Sequence, residues 1–511
     1  MSAETSRFPL TVSLRRLFPT ASFVGCGDIH VSEATERSGD CRTGILFAAI
    51  RGTQTDGTQF VPEAIERGAA AILVHRPLAG ISVPQCVVSD PRRTFGQLCH
   101  ELFGRPSHRL NVAGVTGTNG KTTVTWLIRS ILQSASRQTG VLGTIEYHDG
   151  LKRERSALTT PDSESLSLWL AAMLRRNTSH AAIELSSHAL DQGRAAGLQL
   201  EVAVVTNVTQ DHFDYHVNYE DYLAAKARIF EQCRSSAVAV LNADDPGCRS
   251  LINQLDGQRK VVTFGIENDA DVTATLLDES LDGSRFVLKI DGCVIETHTP
   301  LVGRHNVSNC LAAAAAVHHF GIPAEQIATG IGMLAAIPGR LERVDCGQAF
   351  NVFVDYAHTD DALERSITCL KNLTHGRVIC VFGAGGDRDR SKRALLAKAA
   401  SLSNVPVVTS DNPRTEKPED IVQDILNGFG SDHANPHVEI ERGEAIRWAL
   451  NQARSEDTVL IAGKGHETEQ IVGTQRFPFD DREVVRDFLN LNTAENSKTA
   501  EPDILPKKQP A

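Results

Sequence analysis

The stretch Gly117-Thr118-Asn119-Gly120-Lys121-Thr122-Thr123 has the residue types, in the order, that a polyphosphate needs. Glycines let backbone N–H groups turn toward anionic oxygens at a helix N-terminus. Lys121 supplies a cation for the outer phosphates, and the Thr122 hydroxyl suits a Mg²⁺ ion. The strict G-x-x-x-x-G-K-[ST] pattern fails, because Val115 stands five residues before Gly120. The looser motif therefore leans on its surroundings. An apolar run from Leu110 to Val115 precedes it, and Val124, Leu127, Ile128, Ile131 and Leu132 follow at helical spacing, which predicts strand, glycine loop, helix.

Further polar clusters fall at or just past predicted strand ends, where open α/β sheets bind ligands. They are Glu184-Leu185-Ser186-Ser187-His188, the run Thr206 to Asp214 that contains His212, and Asn242-Ala243-Asp244-Asp245. A carboxylate ending one strand and an imidazole past the next could both face a metal beside the phosphates. His212 and His216 lie four apart, but no H-E-x-x-H pattern or companion cysteine supports zinc. Lys226 lies on a predicted helix, where a lysine is by default a solvated surface group. Asn306 precedes an alanine-rich helix and could either cap it or read a purine edge. Nearer the C-terminus, Gly386-Asp387-Arg388-Asp389, Asp411-Asn412-Pro413-Arg414 and Gly463-Lys464-Gly465-His466-Glu467 follow successive strands. Arginines and a glutamate at one rim of a sheet could clamp a zwitterion, guanidinium on carboxylate and carboxylate on ammonium. Gly383-Ala384-Gly385-Gly386 lacks the full G-x-G-x-x-G fingerprint of a dinucleotide loop.

The elements that carry these residues alternate. Residues 1–108 hold a small α/β pattern of their own, with strands predicted at 45–50 and 69–74 and a helix at 61–67, and on pattern alone this is a packing or oligomerisation domain. Residues 109–339 carry predicted strands at 181–185, 202–208, 237–241 and 260–264 with helices between, as in a largely parallel sheet. Residues 340–491 alternate strands (351–354, 377–382, 405–409, 437–440, 458–462) with helices, a Rossmann-like order. From 492 to 511 the chain is polar and is expected to be disordered. The fold class is thus α/β in three domains, a central parallel-sheet ATPase domain between a small N-terminal domain and a C-terminal Rossmann-like one.

Composition narrows the function classes. A net charge of −11 over 511 residues disfavours broad nucleic-acid binding. Eleven cysteines without a C-x-x-C pair read as free thiols of a reducing compartment. No run is long and apolar enough for a signal peptide or a membrane span, so a cytoplasmic protein without membrane or nucleic-acid partners is expected.

In this order, the phosphate loop, Leu158-Thr159-Thr160-Pro161, Glu184-Leu185-Ser186-Ser187-His188, Val354-Asp355-Tyr356-Ala357-His358-Thr359 and Asp411-Asn412-Pro413-Arg414 resemble the motifs of the Mur ligases. These are ATP-dependent enzymes that add amino acids to the UDP-linked peptidoglycan precursor, and the agreement runs from about Leu46 to Phe488. Within the family the similarity is to the members that join meso-2,6-diaminopimelate to UDP-N-acetylmuramoyl-L-alanyl-D-glutamate.

The resemblance implies roles. Lys226 would be carbamylated to N6-carboxylysine and, with Glu184, His212 and Thr122, surround magnesium. Lys121 would act on the phosphates. Gly117 to Thr123, Asn306, Arg340 and Asp355 would hold ATP. Ser38, Thr53, Gln54, Thr55, Thr159, Thr160, Ser186, Gln192 and Arg194 would hold the precursor. Arg388, Asp411, Asn412, Pro413, Arg414, Gly463 and Glu467 would hold diaminopimelate, with Arg414 favouring it over lysine because a guanidinium pairs with its second carboxylate. A monomer that closes its domains over an acyl phosphate is expected. Two departures from the family pattern stand out: Arg37-Ser38-Gly39 replaces Asp-Ser-Arg, and Asp360 replaces the usual proline after Thr359.

Overall fold

The computed structural model describes residues 10–498, apart from 53–54, 210–214, 217, 256, 258 and 431–435. The chain forms two compact units, one of residues 1–277, 285–299 and 305–334, the other of 278–284, 300–304 and 335–511. The first two domains expected from sequence share the first unit.

In the first unit, the N-terminal sheet runs Ser22–Val24, Gln85–Val87, Ala71–Val74, Leu46–Ala48, Ala34–Thr35, parallel except for its first pair. Helix Pro91–Leu102 covers it with Phe95, Leu98 and Cys99. Asp90 caps that helix, its carboxylate accepting from Arg93 N, and Pro91 stands where a helix needs no amide donor.

The central sheet has eleven strands. Seven are consecutive and parallel, in the order Thr139–Leu142, His180–Glu184, Asn111–Thr116, Leu200–Val205, Cys233–Asn242, Lys260–Gly265, Val272–Ser280. The inner strands, from Thr139–Leu142 to Leu200–Val205, are covered on both faces, so they read as largely apolar runs without alternation. The order matters for the site: the strand that feeds the phosphate loop lies between the strand ending at Glu184 and the strand leading to Thr206. Three strands at the sheet's far edge, Val272–Ser280, Gly283–Ile290 and Cys293–Thr299, were not expected from the sequence pattern. Their faces are only half buried, and the mixed apolar and charged content hides a simple period.

The second unit is built on the six-stranded sheet Glu342–Arg343, Asn351–Asp355, Thr458–Ala462, Val378–Phe382, Val405–Val408, His437–Val438, parallel apart from the first pair. The sheet also holds a fully buried ion pair. Arg442 donates to both oxygens of Asp481 at 2.8 Å, and also to the carbonyls of Ser410, just past strand Val405–Val408, and of Ala462, which ends strand Thr458–Ala462. Helix Asp360–Leu373 starts on Thr359, whose hydroxyl accepts from Ala362 N. Asp360 therefore occupies the first helical turn, where a carboxylate suits the positive helix end and no proline is needed. The last helix runs Asp481–Lys498, beyond the point where disorder was expected to begin. Buried Val485 and Leu489 anchor it, and neither glycine nor proline interrupts it. All eleven cysteines are free, and among the described residues no helix is long and apolar enough to cross a membrane.

Candidate active site

The phosphate loop is a backbone cradle that tolerates no side chain at its two sharpest points. Gly117 has φ +145° and a Cβ there would collide with Thr206 Oγ1, while Gly120 has φ +87° and would collide with Asn309 Oδ1. The neighbouring strand end fixes the loop: Thr118 N donates to Asn207 O at 2.9 Å, Asn119 N to Asn207 Oδ1 at 3.0 Å, and Thr206 Oγ1 to Asn119 O at 2.5 Å. Helix Lys121–Ser134 begins directly after Gly120, an N-cap residue that has no side chain. Lys121 Nζ folds back onto the carbonyls of Gly117 and Thr118, 2.9 Å from each, so its ammonium sits over the loop. Amides, a helix terminus and a cation thus converge on one place, as a polyphosphate requires.

Glu184, with no exposed surface, is the hub beside this loop. Its Oε2 accepts from Thr122 Oγ1 at 3.1 Å and Thr144 Oγ1 at 2.9 Å, and its Oε1 accepts from Thr144 N at 2.9 Å. Gly143 has no room for a Cβ against this carboxylate. Thr144 was missed in the sequence, although it follows a glycine at a strand end like the clusters that were found. From Glu184 a chain of contacts leads outward. The Thr144 hydroxyl lies 3.2 Å from that of Thr159. Thr160 Oγ1 donates to Glu184 O at 2.8 Å and accepts from Ser186 N at 3.0 Å. Arg194 donates to Thr160 O and to Gln192 Oε1. Thr159, Thr160, Ser186, Gln192 and Arg194 are therefore one continuous group.

That group opens on a cavity of about 160 Å³ between the N-terminal helix and the central domain, lined among others by Arg92, Phe95, Asp162, Gln192 and Arg194. Burial lowers the Arg194 pKa from its usual value, and nearby Glu36 and Asp162 work against that shift. Gly96 permits the close approach on which the cavity depends, since a Cβ there would stand 2.9 Å from Gly193 O. Arg37, the departure from the family pattern, reaches across to Asp162 at 3.3 Å. Ser38 opens a short turn and hydrogen-bonds Glu63. Thr55 is exposed, its carbonyl accepting from Gly52 N. No hydrogen bond joins Ser38 or Thr55 to the Thr160 group among the described residues. Thr53, Gln54 and His212 lie outside them.

Lys226 departs from the default for a helical lysine, being only 1% exposed, with its Nζ 4.2 Å from the ring centre of Tyr222. The Tyr222 hydroxyl in turn lies 3.2 Å from Thr118 Oγ1, which places this lysine behind the phosphate loop. Asn306 is the third residue of helix Arg304–His319, so it does not cap it. Its Oδ1 accepts from Asn309 Nδ2 at 3.0 Å, and Asn309 is the residue against Gly120. The third polar cluster is structural: Asp244 accepts from the amides of Ile266 and Asn268, Asp245 from those of Val208 and Cys248.

In the second unit, Asp355 ends its strand with both oxygens engaged, by Ser366 Oγ at 2.6 Å and Tyr356 N at 2.8 Å. The Arg340 guanidinium stacks over the Tyr356 ring at 4.7 Å. The three charged loops gather at one rim. Gly386 N donates to Asn412 O at 2.9 Å and Arg414 Nη1 to Gly386 O at 2.7 Å. Arg414 has φ +52°, a left-handed conformation held by backbone bonds with Ile471 and Gly473. Pro413 lies so close to Gly386 that a Cβ on that glycine would strike its carbonyl, and Gly463, at φ +113°, leaves room for Asp411 Oδ2. Asn412 Nδ2 donates to Glu467 Oε2 at 3.0 Å. Arg388 is exposed on the first loop. Lys464, read from sequence as one more rim charge, is instead fully buried beneath Asn412 and Glu467.

Comparison with known proteins agrees with this geometry. Family models for the Mur ligase family catalytic domain, the Mur ligase middle domain and the Mur ligase glutamate ligase domain match residues 30–100, 115–317 and 339–465. A UDP-N-acetylmuramoyl-L-alanyl-D-glutamate--2,6-diaminopimelate ligase of Geobacillus kaustophilus is 43% identical over 452 residues, covering 87% of this chain and 92% of its own. A solved structure of a ligase of the same name is 33% identical with a TM-score of 0.69, over 95% of this chain and 100% of the other. The ADP complex of a MurF ligase from Thermotoga maritima, 18% identical with a TM-score of 0.60 over 92% of this chain and 98% of its own, shares the fold.

Proposed function

Because the chain belongs to the Mur ligase family, we infer that it joins meso-2,6-diaminopimelate to UDP-N-acetylmuramoyl-L-alanyl-D-glutamate, with hydrolysis of ATP to ADP and phosphate, in peptidoglycan precursor synthesis. The observation that carries this reading is the pairing of two kinds of site on one chain. A phosphate cradle runs without a break from Thr122 through Glu184 and Thr160 to Arg194 in the first unit, and a rim of Arg388, Asn412, Arg414 and Glu467 suits an amino acid in the second.

A carboxylate and an amine do not condense at neutral pH, so the acid must be activated. The side-chain carboxylate of D-glutamate attacks the terminal phosphorus of ATP, the bond to the bridging oxygen breaks, and ADP leaves. The amine of diaminopimelate then attacks the carbonyl carbon of the acyl phosphate. It loses a proton, and phosphate departs with an oxygen of the original carboxylate. Lys121 and the loop amides stabilise charge on the phosphoryl group as it moves, worth several kcal/mol in sites of this kind. Arg194 and the threonines hold the acid, and Arg414 with Glu467 holds the zwitterionic end of diaminopimelate.

Magnesium fits the residues present. Thr122 and Glu184 offer the hard oxygens this ion takes, on the flank of the phosphate loop. Lys226 as a free ammonium does not suit a cation, but as a carbamate it supplies two oxygens, which gives its burial a purpose. The ion would offset charge on the phosphates when bound. His212 is retained as a fourth member of this set by resemblance. We keep domains of 1–108, 109–339 and 340–491 as the working division and a cytoplasmic monomer as the working state.

Release of ADP tests the assignment when each amino acid is offered with and without the UDP-dipeptide. This function requires release only with diaminopimelate and the dipeptide together. A folylpolyglutamate synthetase would not need the uridine compound, and a nucleotide-binding scaffold would show no release dependent on an amino acid.

A further inference from the structure

We propose that Lys464 is the positioning residue that sets the polarity of the amino-acid recess, fixing Asn412 and Glu467 so that Glu467 receives the second ammonium of diaminopimelate. The inference rests on the function proposed above and concerns a residue to which that reading gives no role.

The Lys464 side chain has no exposed surface, whereas that of Glu467 is 29% exposed. Burying an ammonium is costly unless each of its protons is taken. Here three acceptors take them: Asn412 Oδ1 at 3.1 Å, Glu467 Oε2 at 3.1 Å and the Glu469 carbonyl at 2.7 Å. An ammonium has three donors and no acceptor, so this arrangement uses it completely. It also decides which way the Asn412 amide faces. Its oxygen accepts from Lys464 Nζ and from Ile471 N at 2.9 Å, so its NH₂ must point the other way, where it donates to Glu467 Oε2 at 3.0 Å.

One oxygen of Glu467 is thus occupied by two donors, one of them a buried cation. The Glu467 side chain is itself partly exposed, on the loop rim that also carries Arg414 and the exposed Arg388. A zwitterion with a carboxylate and an ammonium on the same carbon matches that pair of signs. Without Lys464 the Glu467 carboxylate would lose its ionic partner, and the Asn412 oxygen would keep only one of its two donors, Ile471 N.

The test couples the residue to one group of the substrate. Wild type and Lys464→Met are compared with diaminopimelate and with 2-aminopimelate, which lacks one ammonium, and kcat/KM is measured for each. Thermal melting and KM for ATP serve as controls. Wild type should discriminate against 2-aminopimelate by about tenfold or more, the worth of a charge-assisted hydrogen bond. In Lys464→Met most of that discrimination should vanish, with KM for diaminopimelate raised and KM for ATP unchanged. Lys464→Gln, which can still donate to two acceptors, carries the same comparison if the methionine variant does not fold, and should retain part of the discrimination. Full discrimination in the folded variant would overturn the proposal. A wild-type protein inactive with diaminopimelate would instead overturn the function on which it rests.

Discussion

Thr122 Oγ1 donates to Glu184 Oε2 across 3.1 Å, joining the first turn of the phosphate-loop helix to the end of the neighbouring strand. Sheet order alone brings them together, since their strands are parallel neighbours with Glu184 paired to Val115. Glu184→Gln keeps the shape but removes the charge, and its NH₂ would oppose a hydroxyl or an amide that now donates. We expect kcat to fall by about a hundredfold or more, as when a charge-stabilising group is lost. A melting-temperature drop equivalent to about 1 to 3 kcal/mol should accompany it. Steady-state ADP release and calorimetry check both.

The loop glycines predict a second outcome. Gly120→Ala places a methyl group against Asn309 at a φ of +87°, so both contact and backbone oppose it. ATP affinity should fall by at least about tenfold, which corresponds to about 1.4 kcal/mol. Asn309→Ala in the same chain should recover only the part due to the contact, because the backbone strain stays. Equilibrium nucleotide binding separates the two.

Arg414 predicts amino-acid choice. Its left-handed backbone and its bond to Gly386 O present a fixed guanidinium, which suits a carboxylate and repels the ammonium that lysine would bring. L-lysine should be used at least about a hundredfold less well than diaminopimelate. Arg414→Met should raise KM for diaminopimelate by about 10- to 100-fold, the range for a lost charge-assisted pair. Competition between the two amino acids measures this.

The first unit should lose stability in mild acid. Burial, aided by His108 and Arg105, lowers the His100 pKa to about 3, and burial, aided by Arg137, lowers that of His180 to about 4. Both rings stay neutral in the folded chain, His100 bonded to Ser107 Oγ at 2.7 Å and His180 to Ser179 Oγ at 2.8 Å. The unfolded chain takes up protons below the ordinary histidine value near 6.5. Stability therefore falls as pH drops from there toward the folded values. Each ring should cost about 1 to 2 kcal/mol by pH 5. His100→Gln should flatten part of that slope in urea melts taken across this range.

Buried Lys226 predicts a carbamate. Protein equilibrated with isotope-labelled bicarbonate should show a carbamate carbon resonance that is absent in Lys226→Met. Lack of that resonance in an active preparation would remove the modification from the account.

What could be read from the sequence follows from where information is local. The phosphate loop, the strand-end clusters and the parallel order were legible because glycines, apolar runs and turn residues act over a few positions. From residue pattern alone Lys226 and Lys464 were not, though the resemblance singled out Lys226, since burial of a cation depends on acceptors supplied from elsewhere in the chain, such as Asn412, 52 residues before Lys464. The same holds for Arg442 and Asp481, 39 residues apart, whose types alone suggest surface charges. Asn306 was expected to precede its helix, yet it is the third residue of Arg304–His319 and bonds Asn309, which lies against the glycine loop far upstream.

In the proposed reaction the precursor's carboxylate accepts the terminal phosphoryl group before the amine attacks. This order is tested most directly by labelling the oxygens of the D-glutamate side-chain carboxylate and following the label through one ligation with diaminopimelate and ATP. Labelled oxygen should appear in the released phosphate in step with the new amide bond. Phosphate free of label while the amide forms would contradict it.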